Sequence, residues 1–409
     1  MPLLILLILA LAAALVGFQL GSRRPIAVAR SGVAFHSTPD YYGWYVVCLT
    51  FAPAVVATPT LLILDRVGVI DSVSWWVYAA LWIAVPLLLT WPVLQSVRPR
   101  LRARNFVERV IYAVLLGASS ISILTTVGIV LSVFYEAMLF FRDVSVLDFL
   151  FGADWARGQA FEVAAGRGAA GCAAVGAVPL FAGTLMITVI ALVVAVPVGV
   201  FSAVYLSEYA PTRARRALKP MLEILAGIPT VVYGFFAAIT VAPLVVDLAA
   251  LVGLEAAGNN ALAPGVIMGV MIIPFMSSLS DDVISSVPTK LRSGALALGS
   301  TKAESIKKVV LPAALPGIVS AGLLSFSRAV GETMIVVMAA GQGANLAWSP
   351  LEPMTTVTVQ IVAALTGDIE FDSAFTRSAF ALGLTLALFT LLLNVVAALV
   401  IRRFRQQYE

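Results

Sequence analysis

"VPTKLRSGALALGSTKAESIKKVVLPAALPG", Val287–Gly317, separates two apolar runs and is far longer than a connection between packed elements needs. Leu291, Ala295 and Leu298 recur at helical spacing, Gly299 breaks the run, and a second helical stretch carries Ile306, Val309 and Val310 before Leu311 and Pro312 stop it. The pattern predicts a helix, a turn and a helix, an element able to transmit force to a soluble subunit. "GALALGSTK", Gly294–Lys302, spaces two glycines as a P-loop does. Ser300 and Thr301 hold Lys302 away from Gly299, however, and no strand precedes, so the spacing argues against nucleotide binding by this chain.

Around this loop the chain is apolar. Of 409 residues, 61% are hydrophobic and 12% charged, against about 25% charged in a soluble domain. With a mean hydropathy of +1.00 this is the composition of a polytopic membrane protein. The net charge of +4 does not indicate nucleic-acid binding, because the basic residues fall in short loops and form no single basic face. Cys48 and Cys172 lie far apart, with neither metal-ligand spacing nor a disulfide framework. His36, alone and in a loop, leaves a Ser/His/Asp triad or a histidine metal site without raw material. No catalytic residue and no metal ligand are expected.

A membrane span needs about 20 apolar residues. Nine segments qualify, at roughly 1–20, 44–64, 73–95, 109–139, 181–206, 221–247, 262–280, 315–340 and 378–401. The first lacks a basic leading region and a small-residue cleavage site, and is read as a retained span. "GSRRPIAVAR", "RPRLRARNFVER", "SEYAPTRARRALKP", the stretch from Asp281 to Pro312 and "RRFRQQYE" hold all but six of the 26 basic residues. The alternate loops hold only Arg66, Arg142, Arg157, Arg167 and Arg377, and Arg328 belongs to no loop. This asymmetry predicts a periplasmic N-terminus and a cytoplasmic C-terminus. Residues 1–97 form three spans with no intramembrane charge, followed by the linker carrying Arg98, Arg100, Arg102, Arg104 and Arg109; residues 98–409 hold six spans.

"SFSRAVGETMIVV", Ser325–Val337, places Arg328 and Glu332 four residues apart inside the eighth span, on one helical face. Arg328 is thirteen residues from Leu315, about 20 Å along a helix and hence mid-bilayer. A charge at that depth costs at least about 2.5–3.5 kcal/mol, so the pair is expected to face the protein interior and to be functional or to fix helix packing. Glu223, one turn from Lys219, reads either as an interfacial ion pair or as a gate residue. Pro229 interrupts the sixth span, and Thr230 and Tyr233 add hydroxyls beside the break. Asp281 and Asp282 are expected to shape the cytoplasmic vestibule. The outer loops Phe141–Pro179 and Gln342–Arg377 are candidates for receiving a binding protein.

The cytoplasmic loop resembles the EAA loop of ABC importer permeases, with Gly299, Val309, Leu311 and Pro312 at matching positions and Ala295 as the second alanine. Ser293 and Gly294 stand where that family has its glutamate and first alanine. Together with "LEILAGIPTVVYGFFA", Leu222–Ala237, and "RAVGETMIVVMAAG", Arg328–Gly341, the loop is similar to the PstC-type permeases of bacterial phosphate-specific ABC importers, over about residues 105–409. The resemblance implies an all-α polytopic membrane protein of the bacterial inner membrane: a six-helix ABC type I importer core preceded by an extension of about three transmembrane helices, with a coupling loop at about 283–313. It implies a PstA-type sister permease, a homodimeric PstB-type ATPase that carries the ATP and Mg, and a periplasmic PstS-type phosphate-binding protein. This chain would hydrolyse no ATP itself. Arg328, Glu332, Thr333, Glu223, Thr230 and Tyr233 would then belong to the substrate pathway, Arg328 offering its planar fork of donors to phosphate and Glu332 holding it when the pathway is empty. Ser293, Gly294, Ala295, Gly299, Leu311 and Pro312 would couple to the ATPase. A permease for another oxyanion such as sulfate, molybdate or phosphonate, and a membrane scaffold or sensor that moves nothing, are the alternatives; the Arg-x-x-Gly-Glu-Thr-Met segment argues against the former.

Overall fold

A computed structural model describes residues 2–29, 35–66, 74–156, 175–366 and 373–405. They are helical, with no strand among the described residues beyond an isolated bridge between Trp155 and Val175. Among the described residues, nine helices are long and apolar enough to cross a membrane. The chain divides into two compact units, Met1–Gly128 and Ile129–Glu409.

The first unit is built from α1 (Pro2–Ala29), α2 (Pro39–Arg66) and α3, which runs from Trp75–Ala79 through a π turn at Ala80–Ala84 into Val85–Ser96. Arg23 and Arg24, expected in a loop, lie inside α1, whose helix continues nine residues past the predicted end of the span at 20. Gly21 and Gly43 bring α1 and α2 into contact: a Cβ on Gly21 would meet the Gly43 Cα at 2.9 Å. Helix α4 (Ala103–Asp143) starts in this unit and ends in the second.

In the second unit, after α5 (Val146–Phe151), the centre is the pair α6 (Val178–Val204) and α9 (Leu262–Ser286), packed along most of their length. Their approach depends on missing side chains. A Cβ on Gly269 would lie 2.8 Å from the Ala191 carbonyl, and one on Gly199 would lie 2.8 Å from the Met276 side chain. The buried residues Ile187, Ala191, Ala195, Met268 and Ile272 fill the seam. Between them in sequence come α7 (Thr212–Ala226) and α8, which runs from Thr230–Phe236 through a π turn at Ala237–Val241 to Ala242–Leu251. After α9 follow α10 (Thr289–Ala297), α11 (Lys302–Val330), α12 (Met334–Ala339), α13 (Val357–Thr366) and α14 (Ala374–Arg405).

Among the boundaries that differ from the sequence expectation, two bear on the site. The sixth span starts at Thr230, not 221, because "TRARRALKPMLEILA" folds as a separate amphipathic helix, α7, ended at Gly227 ahead of Pro229. The eighth ends at Val330, not 340. The loop reading also needs one correction: Pro312 does not stop the helix. A π turn at Ile306–Val310 comes just before it, so the Leu311 N–H donates to the Ile306 carbonyl and the helix runs on to Val330. The widened turn absorbs the donor that proline lacks and the clash its ring would make. The same device recurs before Val85-Pro86 and Ala242-Pro243, where the helix also continues, whereas the π turn before Ala210-Pro211 ends its helix.

Candidate substrate pathway and coupling surface

The continuous face expected to carry Arg328 and Glu332 is not formed. Helix α11 ends at Val330, with Gly331 as its C-cap, and Glu332 and Thr333 lie in the break before α12. No ion pair joins Arg328 to Glu332 among the described residues. The Glu332 carboxylate instead accepts from the Met334 N–H at 3.2 Å, closing the first turn of α12. Spacing alone suggested a pair because it presumed an unbroken helix.

Arg328 is exposed on the surface of the isolated chain rather than packed inside it, which corrects the expectation that it faces this chain's own interior. Its guanidinium lies over the Phe275 ring of α9, 5.9 Å from the centroid, an attraction of about 0.5–1 kcal/mol at an exposed site. A guanidinium at the end of an apolar span, on that face, needs a polar space or a second chain opposite it. Phe275 was not singled out in the sequence; an aromatic in an apolar span carries no signal of its own.

The two broken spans meet. Helix α12 packs against the first turns of α8 so closely that a Cβ on Gly234 would lie 3.0 Å from the Met334 carbonyl. Thr230 opens α8 after Pro229, half-buried. The Tyr233 hydroxyl does not point to a free space: it donates to the Leu225 carbonyl at 2.9 Å and bridges the gap between α7 and α8. The Thr333 hydroxyl makes a long 3.5 Å bond to the Gly331 carbonyl, within the break. The Thr358 hydroxyl of α13 donates to the Glu332 carbonyl at 3.0 Å. Helix α13, a short apolar helix inside the Gln342–Arg377 loop, was absent from the predicted elements because ten residues fall well below a span length.

Glu223 does not pair with Lys219. It is exposed on α7 and borders a small cavity with Lys219, Ser277 and Asp281. Lys219 reaches across to α9, donating to Asp281 at 2.9 Å and to Asp282 at 3.2 Å. Arg215 donates to both Asp281 oxygens, at 2.9 and 3.0 Å. Asp281 is therefore more than a vestibule carboxylate: fully buried, it fastens α7 to α9. The bond to Asp281 raises the Lys219 pKa above its ordinary value, outweighing desolvation.

In the coupling loop, the helix–turn–helix expectation holds in its first half. Gly299, at φ +87°, lets the chain leave α10 through a Schellman turn, with Gly299 N–H bonded to the Leu296 carbonyl and Ser300 N–H to the Ala295 carbonyl. Thr301 and Glu304 then form a capping box that starts α11, a signal legible as T-x-x-E in the sequence. Arg292 anchors α10 through Glu208 at 3.1 Å and the Ile284 carbonyl, and Lys302 sits over the Tyr209 ring. Of the three apolar residues expected to share a face, only Ala295 is buried; Leu291 is 47% and Leu298 89% exposed. Ser293 spends its hydroxyl on the Thr289 carbonyl, and Gly294 has open space around it. Leu311 and Pro312 sit at the start of the continuous part of α11 rather than at a helix end. Parts of the two candidate docking loops, residues 157–174 with Cys172 and residues 367–372, lie outside the described residues, as does the end of the basic tail, 406–409.

Residues 195–406 match the family described as the binding-protein-dependent transport system inner membrane component, and residues 5–73 match the family described as phosphate ATP-binding cassette transporter. The chain is 33% identical over 217 residues to a probable ABC transporter permease protein, YqgH, of Bacillus subtilis, covering 53% of this chain and 69% of that one. It is 37% identical over 247 residues to phosphate transport system permease protein PstC 1 of Mycobacterium bovis, covering 56% of this chain and 72% of the relative. Among solved structures, a bacterial ABC transporter involved in import of the acidic polysaccharide alginate superposes with a TM-score of 0.51 at 16% identity, over 74% of this chain and 99% of that one, which bears on the fold alone.

Proposed function

Because the chain belongs to the family of binding-protein-dependent transport system inner membrane components, we propose that it is the permease subunit of an ATP-driven phosphate importer, supplying half of the translocation pathway. It is a multi-pass inner-membrane protein whose relatives are transport permeases. Residues 98–409 act as the permease core and 1–97 as an extension. A PstA-type sister permease faces it, a homodimeric PstB-type ATPase with ATP and Mg docks beneath, and a PstS-type binding protein delivers phosphate from the periplasm. The N-terminus is periplasmic and the C-terminus cytoplasmic, in keeping with the distribution of Lys and Arg.

The observation that carries this reading is Arg328, an exposed guanidinium turned outward from its own chain two residues before the helix break. Opposite a sister permease, that face lines the space between the two subunits. A planar fork of donors that stays charged matches a tetrahedral oxyanion. Glu332, spent on the Met334 N–H, sets the shape of the break and leaves the arginine free for the anion. The exposed Leu291 and Leu296 of α10, with Leu298 just after it, supply the apolar contact to the ATPase, which suits a loop with Ser293 in place of an acidic residue.

The test is phosphate uptake by the whole complex in proteoliposomes with its binding protein, comparing the wild type with Arg328→Lys. Abolished uptake with ATP hydrolysis still present supports recognition by the guanidinium; near-normal uptake would sink it.

A further inference from the structure

Helices α1 and α3 of the first unit end side by side. Arg24 of α1 donates through Nη1 to the Leu94 carbonyl of α3, which also accepts from the Val97 N–H at the helix end. A cleft opens between the two ends. Arg23, Arg24 and Gln95 line its polar part, and Leu20, Leu94 and Trp91 its walls. No acidic side chain is among its lining residues, and Arg23 makes no ion pair among the described residues. Trp91 is 71% exposed and Leu20 43% exposed. After Ser96, the chain passes directly into Arg98, Arg100, Arg102 and Arg104, so the cleft opens on the basic face of this unit.

We propose that this cleft seats the phosphate of an anionic phospholipid headgroup, with Arg23 as its principal ligand and Trp91 and Leu20 against the glycerol and upper acyl chain. The cleft lies within a turn or two of the ends of two membrane spans, at the depth where headgroup phosphates sit and where tryptophan is favoured. Its charge is uncompensated and positive, as an anionic leaflet requires. An inorganic phosphate ion has the same oxyanion chemistry but gains nothing from the tryptophan and leucine walls, which favours the lipid as the source. Plain snorkelling of Arg23 to the interface would not select among anionic headgroups and would not need the cleft.

The full-length chain, delipidated in detergent and given back either phosphatidylglycerol or phosphatidylcholine, is examined by native mass spectrometry for retained lipid and by thermal unfolding. Inorganic phosphate is added in a parallel arm. Phosphatidylglycerol is expected to be retained preferentially and to raise Tm. Arg23→Gln, at an exposed position, is expected to weaken retention about tenfold, the loss of one hydrogen bond to a charged phosphate. Trp91→Ala weakens it as well, whereas Arg100→Gln, on the same face outside the cleft, leaves it unchanged. Equal retention of both lipids, an equal loss in Arg100→Gln, or displacement of the lipid by inorganic phosphate would each overturn the assignment.

Discussion

The Thr358 hydroxyl donates to the Glu332 carbonyl at 3.0 Å, tying α13 to the point where the eighth span breaks. Behind it, the Val357 N–H donates to the Thr184 hydroxyl of α6 at 3.1 Å, and a Cβ on Gly183 would collide with the Thr355 carbonyl. The break is thus held between α6 and α13 rather than by a charge pair of its own.

Removing that tie has a measurable cost. Thr358→Val is expected to destabilise by about 1 kcal/mol, the net worth of one partly buried hydrogen bond. Thr358→Ser keeps the donor and should recover most of the loss in thermal unfolding of the purified chain.

The charge cluster under α7 makes a different demand. Asp281 is fully buried, so replacing both cations, Arg215→Met with Lys219→Met, strands a carboxylate and is expected to cost about 3–5 kcal/mol. Adding Asp281→Asn to that double variant should restore much of the stability. Asp282→Ala, at an exposed site, should change stability by less than about 1 kcal/mol.

Lys219 also gives the cluster a pH signature. Its folded pKa lies above the ordinary lysine value, held there chiefly by Asp281. The stabilisation is therefore complete below the ordinary lysine range and fades as pH rises through the raised folded value. A melting series taken into the alkaline range should show this loss in the wild type, and Lys219→Met should flatten that contribution.

Gly299 leaves α10 at φ +87° with nothing near a built Cβ. Gly299→Ala is therefore expected to cost only the backbone term, about 1 kcal/mol. Leu298→Glu, on a side chain 89% exposed, should leave the melting temperature of the chain unchanged while lowering ATP hydrolysis coupled to uptake in the assembled complex.

Much of the fold is readable in one dimension because lipid imposes a local rule: a span must be about 20 apolar residues long, whatever it packs against. The nine spans among the described residues follow that rule, and Gly299 follows another, since only a residue free at positive φ leaves a helix through that turn. Spacing failed wherever the answer depended on a partner distant in sequence. Arg328 and Glu332 looked paired because four residues make one turn of a continuous helix, yet a bond from Thr358 helps hold the chain open between them. Lys219 had Glu223 one turn away and took Asp281 instead, because the packing of α7 on α9 brought a buried carboxylate within 2.9 Å. The sequence by itself determined which segments enter the membrane and where the coupling loop turns. Only the tertiary structure decided which charges among the described residues are neutralised within the chain, as Asp281 is, and which, like Arg328, are not.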